Sequence, residues 1–246
     1  MFGENQRAER IARFMVKKIN KAVYEFGMIR QNDRIAVGVS GGKDSLVLLE
    51  MLLYRQRSAP EKYEVMAIHV VGDARGPALP PYVELEDWLR KKGIQYDFRP
   101  IHLAADEVLP MTCERCTWNR RRTLFEMAAD LKCNKVALGH HLDDFAETAL
   151  LNLIHHGRLE TMAPSATYFD GTFELIRPLL YIPKTEIERY AVTQDFPPPP
   201  PKCPRSTDTQ RQRMKELIAE MSKEAKNVRQ NLVRAALATH SSKENH

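Results

Sequence analysis

The chain has 246 residues, with 37 Lys and Arg against 32 Asp and Glu, for a formal charge of +5. At 43% hydrophobic and 28% charged residues it can build a globular core, which excludes wholesale disorder, a collagen and a disulfide scaffold. No run approaches the roughly 18 apolar residues of a membrane span. The opening residues carry no secretory h-region. The four Cys are therefore expected in a reducing, cytoplasmic setting, as ligands, redox groups or core residues rather than bridges.

The first thirty residues read as a basic amphipathic helix. Ile11, Phe14, Met15, Ile19, Val23 and Phe26 recur at helical spacing, with Arg7, Arg10, Arg13, Lys17, Lys18 and Lys21 between them. Its basic face is either simply solvated or a contact for nucleic acid. Strands are then expected at Ile35–Val39, Val65–Val71, Tyr96–Ile101, Lys135–Gly139 and Phe173–Ile176. Helices are expected at Lys43–Arg55, Tyr82–Lys91, Asn119–Leu131, Asp144–His155 and from near Pro183. This alternation implies βαβ units and a parallel sheet with helices on both faces, whose ligands bind beyond the carboxyl ends of the strands. Pro197–Pro201 form a stiff polyproline II segment. A long basic helix follows from Thr209 to about Ala238, and Ser241–His246 form a frayed end.

The sharpest motif is Ser40-Gly41-Gly42-Lys43-Asp44-Ser45, between the first strand and its helix. Small residues let the backbone approach a phosphate, N–H groups at the helix start point at it, and Ser40, Ser45 and Lys43 add hydroxyls and charge. The glycine spacing is not that of a Walker A loop. Asp44 beside a phosphate calls for Mg²⁺ as the bridge; the alternative is a carboxylate that only complements the helix dipole.

Gly139-His140-His141-Leu142-Asp143-Asp144 follows the fourth strand and shares the phosphate loop's edge if the two strands are neighbours. Two His and two Asp there suit metal binding or proton handling. Asp144 also reads as the cap of the next helix. Cys113-Glu114-Arg115-Cys116 lies where the loop after the third strand turns into a helix. A lone CxxC binds metal, cycles as a dithiol or does neither. Cys203 lies far away among prolines, and Cys133 reads as a buried, inert thiol. Three convergent Cys would hold three irons of a four-iron cluster and leave the fourth open.

The Ser40–Ser45 motif resembles the SGGxDS signature of the PP-loop ATP pyrophosphatase superfamily. Together with the Gly139–Asp144 segment, the CxxC and a distal third Cys, it resembles the TtcA-type tRNA 2-thiocytidine synthetases. Ile176-Arg177-Pro178-Leu179 and Glu186-Ile187-Glu188-Arg189-Tyr190-Ala191 agree as well, so the likeness runs from about residue 20 to about residue 220. The resemblance implies a Rossmann-like α/β fold of the adenine nucleotide alpha hydrolase kind, with basic terminal helices. It divides the chain into a basic helix over 1–32, a PP-loop ATP-binding domain over 33–195, and a proline-rich segment with a helical tail over 196–246.

The implied activity is thiolation of an anticodon-loop cytidine in tRNA, at position 32. The base's C2 carbonyl is adenylated by ATP with Mg²⁺, and sulfur then replaces the oxygen, with release of pyrophosphate and AMP. The implied cofactors are ATP, Mg²⁺ and a [4Fe-4S] cluster on Cys113, Cys116 and Cys203. Asp44 and Asp143 would serve Mg²⁺, His141 and His69 would lie by the nucleotide, and Arg120 would neutralise charge developing on the adenylated base. The implied partners are tRNA, a sulfur donor (a cysteine desulfurase or free sulfide) and a second copy of the chain, with no membrane. Lys17, Lys18, Arg121, Arg211 and Arg213 are candidates to meet tRNA phosphates. The chain departs from the family's pattern around Cys203, where one of two cysteines survives, and at Trp118, where a small residue is usual. The alternatives are a related 2-thiouridine thiolase or lysidine-type ligase, and a non-catalytic nucleotide- or cluster-binding module.

Overall fold

The computed structural model describes residues 2–80, 82–201, 203 and 209–241. Within them β1 (Arg34–Gly38), β2 (Glu64–Val71), β3 (Tyr96–Pro100), β4 (Lys135–Ala137), β5 (Ser165–Tyr168) and β6 (Phe173–Ile176) make one sheet in the order β3-β2-β1-β4-β6-β5. All neighbours are parallel except β5 and β6. Ile35, Ala36 and Val37 of the central β1 are wholly buried, as a parallel strand covered on both faces requires.

Alternation along β1 splits the core between the two faces. Ile35 and Val37 join the cluster formed with α1 (Phe2–Glu25), α2 (Lys43–Gln56), α3 (Val83–Lys91), α5 (Leu142–His156) and α6 (Lys184–Ala191). Ala36 faces the smaller cluster under α4 (Cys113–Asp130), with Met66, Ile68, Phe125 and Val136. The terminal helices belong to the first cluster: Met15 and Ile19 of α1 are fully buried, as are Ile218 of α7 (Thr209–Glu224) and Val233 of α8 (Val228–Ser241). Each such aliphatic side chain contributes about 1.5–3 kcal/mol. Lys18 pairs with Glu186 at 2.6 Å and Lys21 lies over the Tyr181 ring, so part of the basic face of α1 is spent on intramolecular contacts.

Two expectations need correction and one strand went unread. β5, Ser-Ala-Thr-Tyr, is four residues long with only Ala and Tyr as apolar positions, too short a pattern to read; it is an edge strand folded back on β6 through a turn in which Phe169, Asp170 and Gly171 all have positive φ. The long helix from Thr209 is two helices, broken where Asn227 turns left-handed at φ 60°. α4 starts at Cys113, not near Asn119. Thr112 caps it by accepting from the Arg115 N–H at 3.2 Å, and its first turns lack apolar periodicity because they carry the site. The frayed end expected over Ser241–His246 lies outside the described residues, apart from Ser241, which closes α8.

Candidate active site

β1 pairs with both β2 and β4, with Val37 opposite Ala67 and Ala137. The strand order reverses there, which opens a crevice at the carboxyl ends of β1 and β4. The phosphate loop and the Gly139–Asp144 loop both leave the sheet at that crevice, and they touch. A Cβ on Gly139 would come within 3.0 Å of the Asp44 backbone carbonyl and 3.1 Å of the Ser45 nitrogen.

The phosphate loop is held open by its own hydroxyls. The Ser40 N–H donates to Ser45 Oγ at 3.1 Å, Ser45 Oγ–H donates to the Gly42 carbonyl at 2.9 Å, and the Gly42 N–H donates to Ser40 Oγ at 3.3 Å. No side chain caps α2 at Gly42, and the Ser45 N–H turns back to the Gly42 carbonyl at 3.2 Å, so the Lys43 and Asp44 N–H groups are those left to meet an anion. Gly41 has φ +83°, and a Cβ there would lie 2.2 Å from the Tyr82 ring and 2.9 Å from Pro200. The proline segment therefore runs over the glycine turn, and the Tyr82 hydroxyl fastens it by donating to the Pro198 carbonyl. Lys43 pairs with Glu188 at 3.3 Å, in a position half exposed to solvent.

His141, not Asp144, caps α5; Asp144 is the third residue of the helix and accepts from the His141 N–H at 2.8 Å. The buried His141 ring sits among three carboxylates, 3.3 Å from Asp144, 3.8 Å from Asp143 and 3.9 Å from Asp44. Asp44 Oδ1 is buried and bonded to nothing among the described residues. Asp143 is already engaged: Oδ2 accepts from the Lys184 N–H at 2.7 Å and Oδ1 from Arg229 Nε of α8 at 2.7 Å. His69 is packed in the core. Its Nδ1–H donates to the Val39 carbonyl at 2.6 Å, its ring rests on Phe98 and Tyr82, and burial lowers its pKa.

The thiols lie at the same edge of the sheet, past β2 and β3. Cys113 and Cys116 occupy the first turn of α4, where the helix dipole favours anions. Cys203 lies near enough to the Asp73 carboxylate to help lower its pKa, and Arg75 clamps that carboxylate through its own N–H at 2.8 Å and its guanidinium at 2.8–3.1 Å. The Arg75 hydrogen bonds hold Asp73 below the usual carboxylate range. Burial raises the Cys116 pKa; the charges of Cys203, Asp73 and Cys113 add to that, while Arg120 opposes it. Arg120 donates to the Gly72 carbonyl at 2.7 Å, tying α4 to the end of β2. None of the four cysteines is in a disulfide, and Cys133 is buried beside Met66.

No three His, Cys, Asp or Glu side chains among the described residues converge tightly enough for one metal ion. Each thiol of a cluster reaches a different iron, so its ligands stand further apart than those of one ion. Cys113 and Cys116 at the N-terminus of α4, with the charge of Cys203 acting on Cys116 and Arg75 and Arg120 alongside, fit such a group. The unpartnered Asp44 oxygen fits Mg²⁺, which keeps waters and substrate phosphates as its other ligands; the saturated Asp143 fits it less well. Sequence reading missed Asp73, Arg75, Tyr82 and Arg229, since scattered charged or aromatic residues outside a motif carry no periodic signal.

A PP-loop domain profile matches residues 8–221. The tRNA-cytidine(32) 2-sulfurtransferase of Syntrophotalea carbinolica is 37% identical over 236 residues, covering 92% of this chain and 89% of its own. The chain belongs to the PP-loop family, among its tRNA-cytidine(32) 2-sulfurtransferases. Another member, from Geobacter sulfurreducens, is 40% identical over 88% of this chain and 86% of its own. The fold is that of the U34-tRNA thiolase NcsA from Methanococcus maripaludis, solved with its [4Fe-4S] cluster, at TM-score 0.75 and 22% identity over 94% of this chain and 79% of that one. Among the described residues no helix is long and apolar enough to cross a membrane.

Proposed function

We propose that this protein is an ATP-dependent tRNA sulfurtransferase that converts an anticodon-loop cytidine, at position 32, to 2-thiocytidine. The observation that carries the reading is the route of the proline segment. Pro200 packs on Gly41 of the phosphate loop, and three residues later Cys203 lies near enough to act electrostatically on Asp73 and Cys116. One short stretch thus links a nucleotide loop to a cysteine trio.

The chemistry needs both halves. A ring carbonyl oxygen is a poor leaving group until it is adenylated. The cytidine O2 attacks the α-phosphorus of ATP, the α–β bridging bond breaks and pyrophosphate leaves. Ser40, Ser45 and the first N–H groups of α2 would hold the phosphates, and Asp44 would hold Mg²⁺ on them. Cys113, Cys116 and Cys203 would hold a [4Fe-4S] cluster, which supplies sulfur as a soft nucleophile at neutral pH. Arg120 would offset negative charge beside the trio, and AMP departs with the old oxygen. His141, buried against Asp44, would orient that carboxylate. The sulfur comes from a cysteine desulfurase or free sulfide. The reducing setting the thiols require is that of the cytoplasm.

The test is pyrophosphate release from ATP by the cluster-loaded protein under anaerobic conditions, with and without unmodified tRNA. Release that requires tRNA is expected. ATP binding without tRNA-dependent turnover would make the chain a nucleotide-binding module and refute the reading.

A further inference from the structure

A cavity of about 250 Å³ lies between α4 and the ends of β4 and β6, and nothing above assigns it an occupant. Leu138 and Phe125 give it apolar walls, while Thr117, Arg120, Arg121 and His140 supply its polar groups. It is smaller than the roughly 300–1,000 Å³ of sites that enclose drug-sized ligands, and it suits a single flat ring. Its position is informative. Arg120 is shared with the thiol site, where its charge acts on Cys116. Leu138 abuts the end of β1, within 3.0 Å of where a Cβ on Gly38 would lie, just before the phosphate loop begins. The cavity thus borders both the sulfur side and the ATP side of the site.

His140 is the informative wall residue. Arg177 Nε approaches its Nδ1 at 3.3 Å. A guanidinium can only donate, so Nδ1 must be the accepting nitrogen, and in a neutral imidazole the ring proton then sits on Nε2. Arg177 is itself pinned: it is buried and donates to the Ala163 carbonyl at 2.6 Å. Among the described residues nothing is bonded to His140 Nε2. The ring is therefore a fixed donor on the wall of a base-sized cavity.

The geometry points to this cavity as the pocket for the target base, with His140 Nε2–H reading the acceptor edge of cytosine and excluding uracil. Cytosine presents two adjacent acceptors, N3 and O2. Uracil presents N3–H, a donor, where cytosine has N3. Two donors facing each other leave both without an acceptor, and such mismatches discriminate more strongly than differences in size. The target leaves its stack to enter such a pocket, as bases do in enzymes that work on ring atoms. The pocket assignment rests on the proposed thiolation of a cytidine, and its test separates the two claims.

The experiment uses anaerobic, cluster-loaded protein and three anticodon stem-loop RNAs. One carries pyrrolocytidine, a fluorescent base that keeps N3 and O2 as acceptors, at the target position. The second carries uridine there, and the third carries the natural cytidine. With the wild type, pyrrolocytidine fluorescence is expected to change as the base leaves the stack. His140→Leu is expected to lose that change and to bind the pyrrolocytidine RNA about 10–100-fold more weakly than the wild type. His140→Gln, whose amide can donate or accept, is expected to restore binding to within about tenfold of the wild type while narrowing the preference for cytidine over uridine in kcat/KM to under tenfold. ATP affinity, unchanged in both variants, shows that they are folded. No fluorescence change with the wild type, or His140→Leu behaving like the wild type, would overturn the pocket. A fluorescence response with the pyrrolocytidine RNA, but no 2-thiocytidine formed in the cytidine RNA, would support the pocket and refute the reaction.

Discussion

Gly139→Ala isolates the contact that couples the two loops of the site. The new methyl would lie 3.0 Å from the Asp44 carbonyl carbon and oxygen and 3.1 Å from the Ser45 nitrogen. These are backbone atoms, so relief requires the start of α2 to move as a unit, by a few tenths of an ångström. Overpacking of this kind costs about 1–3 kcal/mol. Gly139 has no left-handed φ to add strain, so the whole effect is steric. At about 1.4 kcal/mol per factor of ten, ATP affinity is expected to fall roughly 5–150-fold, since the displaced N–H and hydroxyl groups are those that would hold the phosphates. Titration calorimetry with ATP and Mg²⁺ measures it. Gly38→Ala is the control: its Cβ would meet the ends of Leu138 and Leu124, which can rotate away, and ATP affinity should stay within about threefold. Equal ATP affinity in Gly139→Ala and wild type would refute the coupling.

Other expectations follow from the same contacts. Cys203→Ser should bind ATP normally but lose most iron after anaerobic reconstitution and make no thionucleoside, as read by iron analysis and visible absorption; full iron occupancy would remove Cys203 from the ligand set. Lys135 is buried between Asp33, at 3.5 Å, and Glu174; Lys135→Ala strands both acids and should cost about 3–5 kcal/mol in denaturant titrations. His140 is pushed down to about 4, first by burial and then by the Arg177 guanidinium. The unfolded chain takes up this proton as pH falls through its ordinary value near 6.5, while the folded chain does so only near 4. Native stability should therefore drop across that window. Thermal melts from pH 7 to pH 4 should fall more steeply for wild type than for His140→Gln.

The sheet was legible because β1 and β2 are largely apolar runs, and the phosphate loop and the Gly139–Asp144 segment sit directly after strands. The phosphate loop and the Gly139–Asp144 segment could therefore be assigned to one edge if their strands were neighbours, whereas the CxxC, separated from the end of β3 by twelve residues, carried no such placement. What stayed hidden depends on meetings between distant parts of the chain. Nothing near Asp143 in sequence says that Arg229, 86 residues on, will bind it. Nothing around Pro197–Pro201 says that a stiff segment will lie on Gly41 and carry Cys203 to Asp73. His140 and His141 are adjacent and identical in type, yet Arg177 fixes one as a donor while three carboxylates surround the other. The four residues of β5, too short a run to signal a strand, pair along the edge that β6 offers.

The most direct test is mass spectrometry of the nucleosides of unmodified tRNA after anaerobic incubation with the cluster-loaded protein, ATP, Mg²⁺ and sulfide. The expected result is 2-thiocytidine appearing in step with AMP and absent when ATP is withheld. Sulfur found on uridine instead, or cytidine left unchanged while ATP is consumed, would contradict the account.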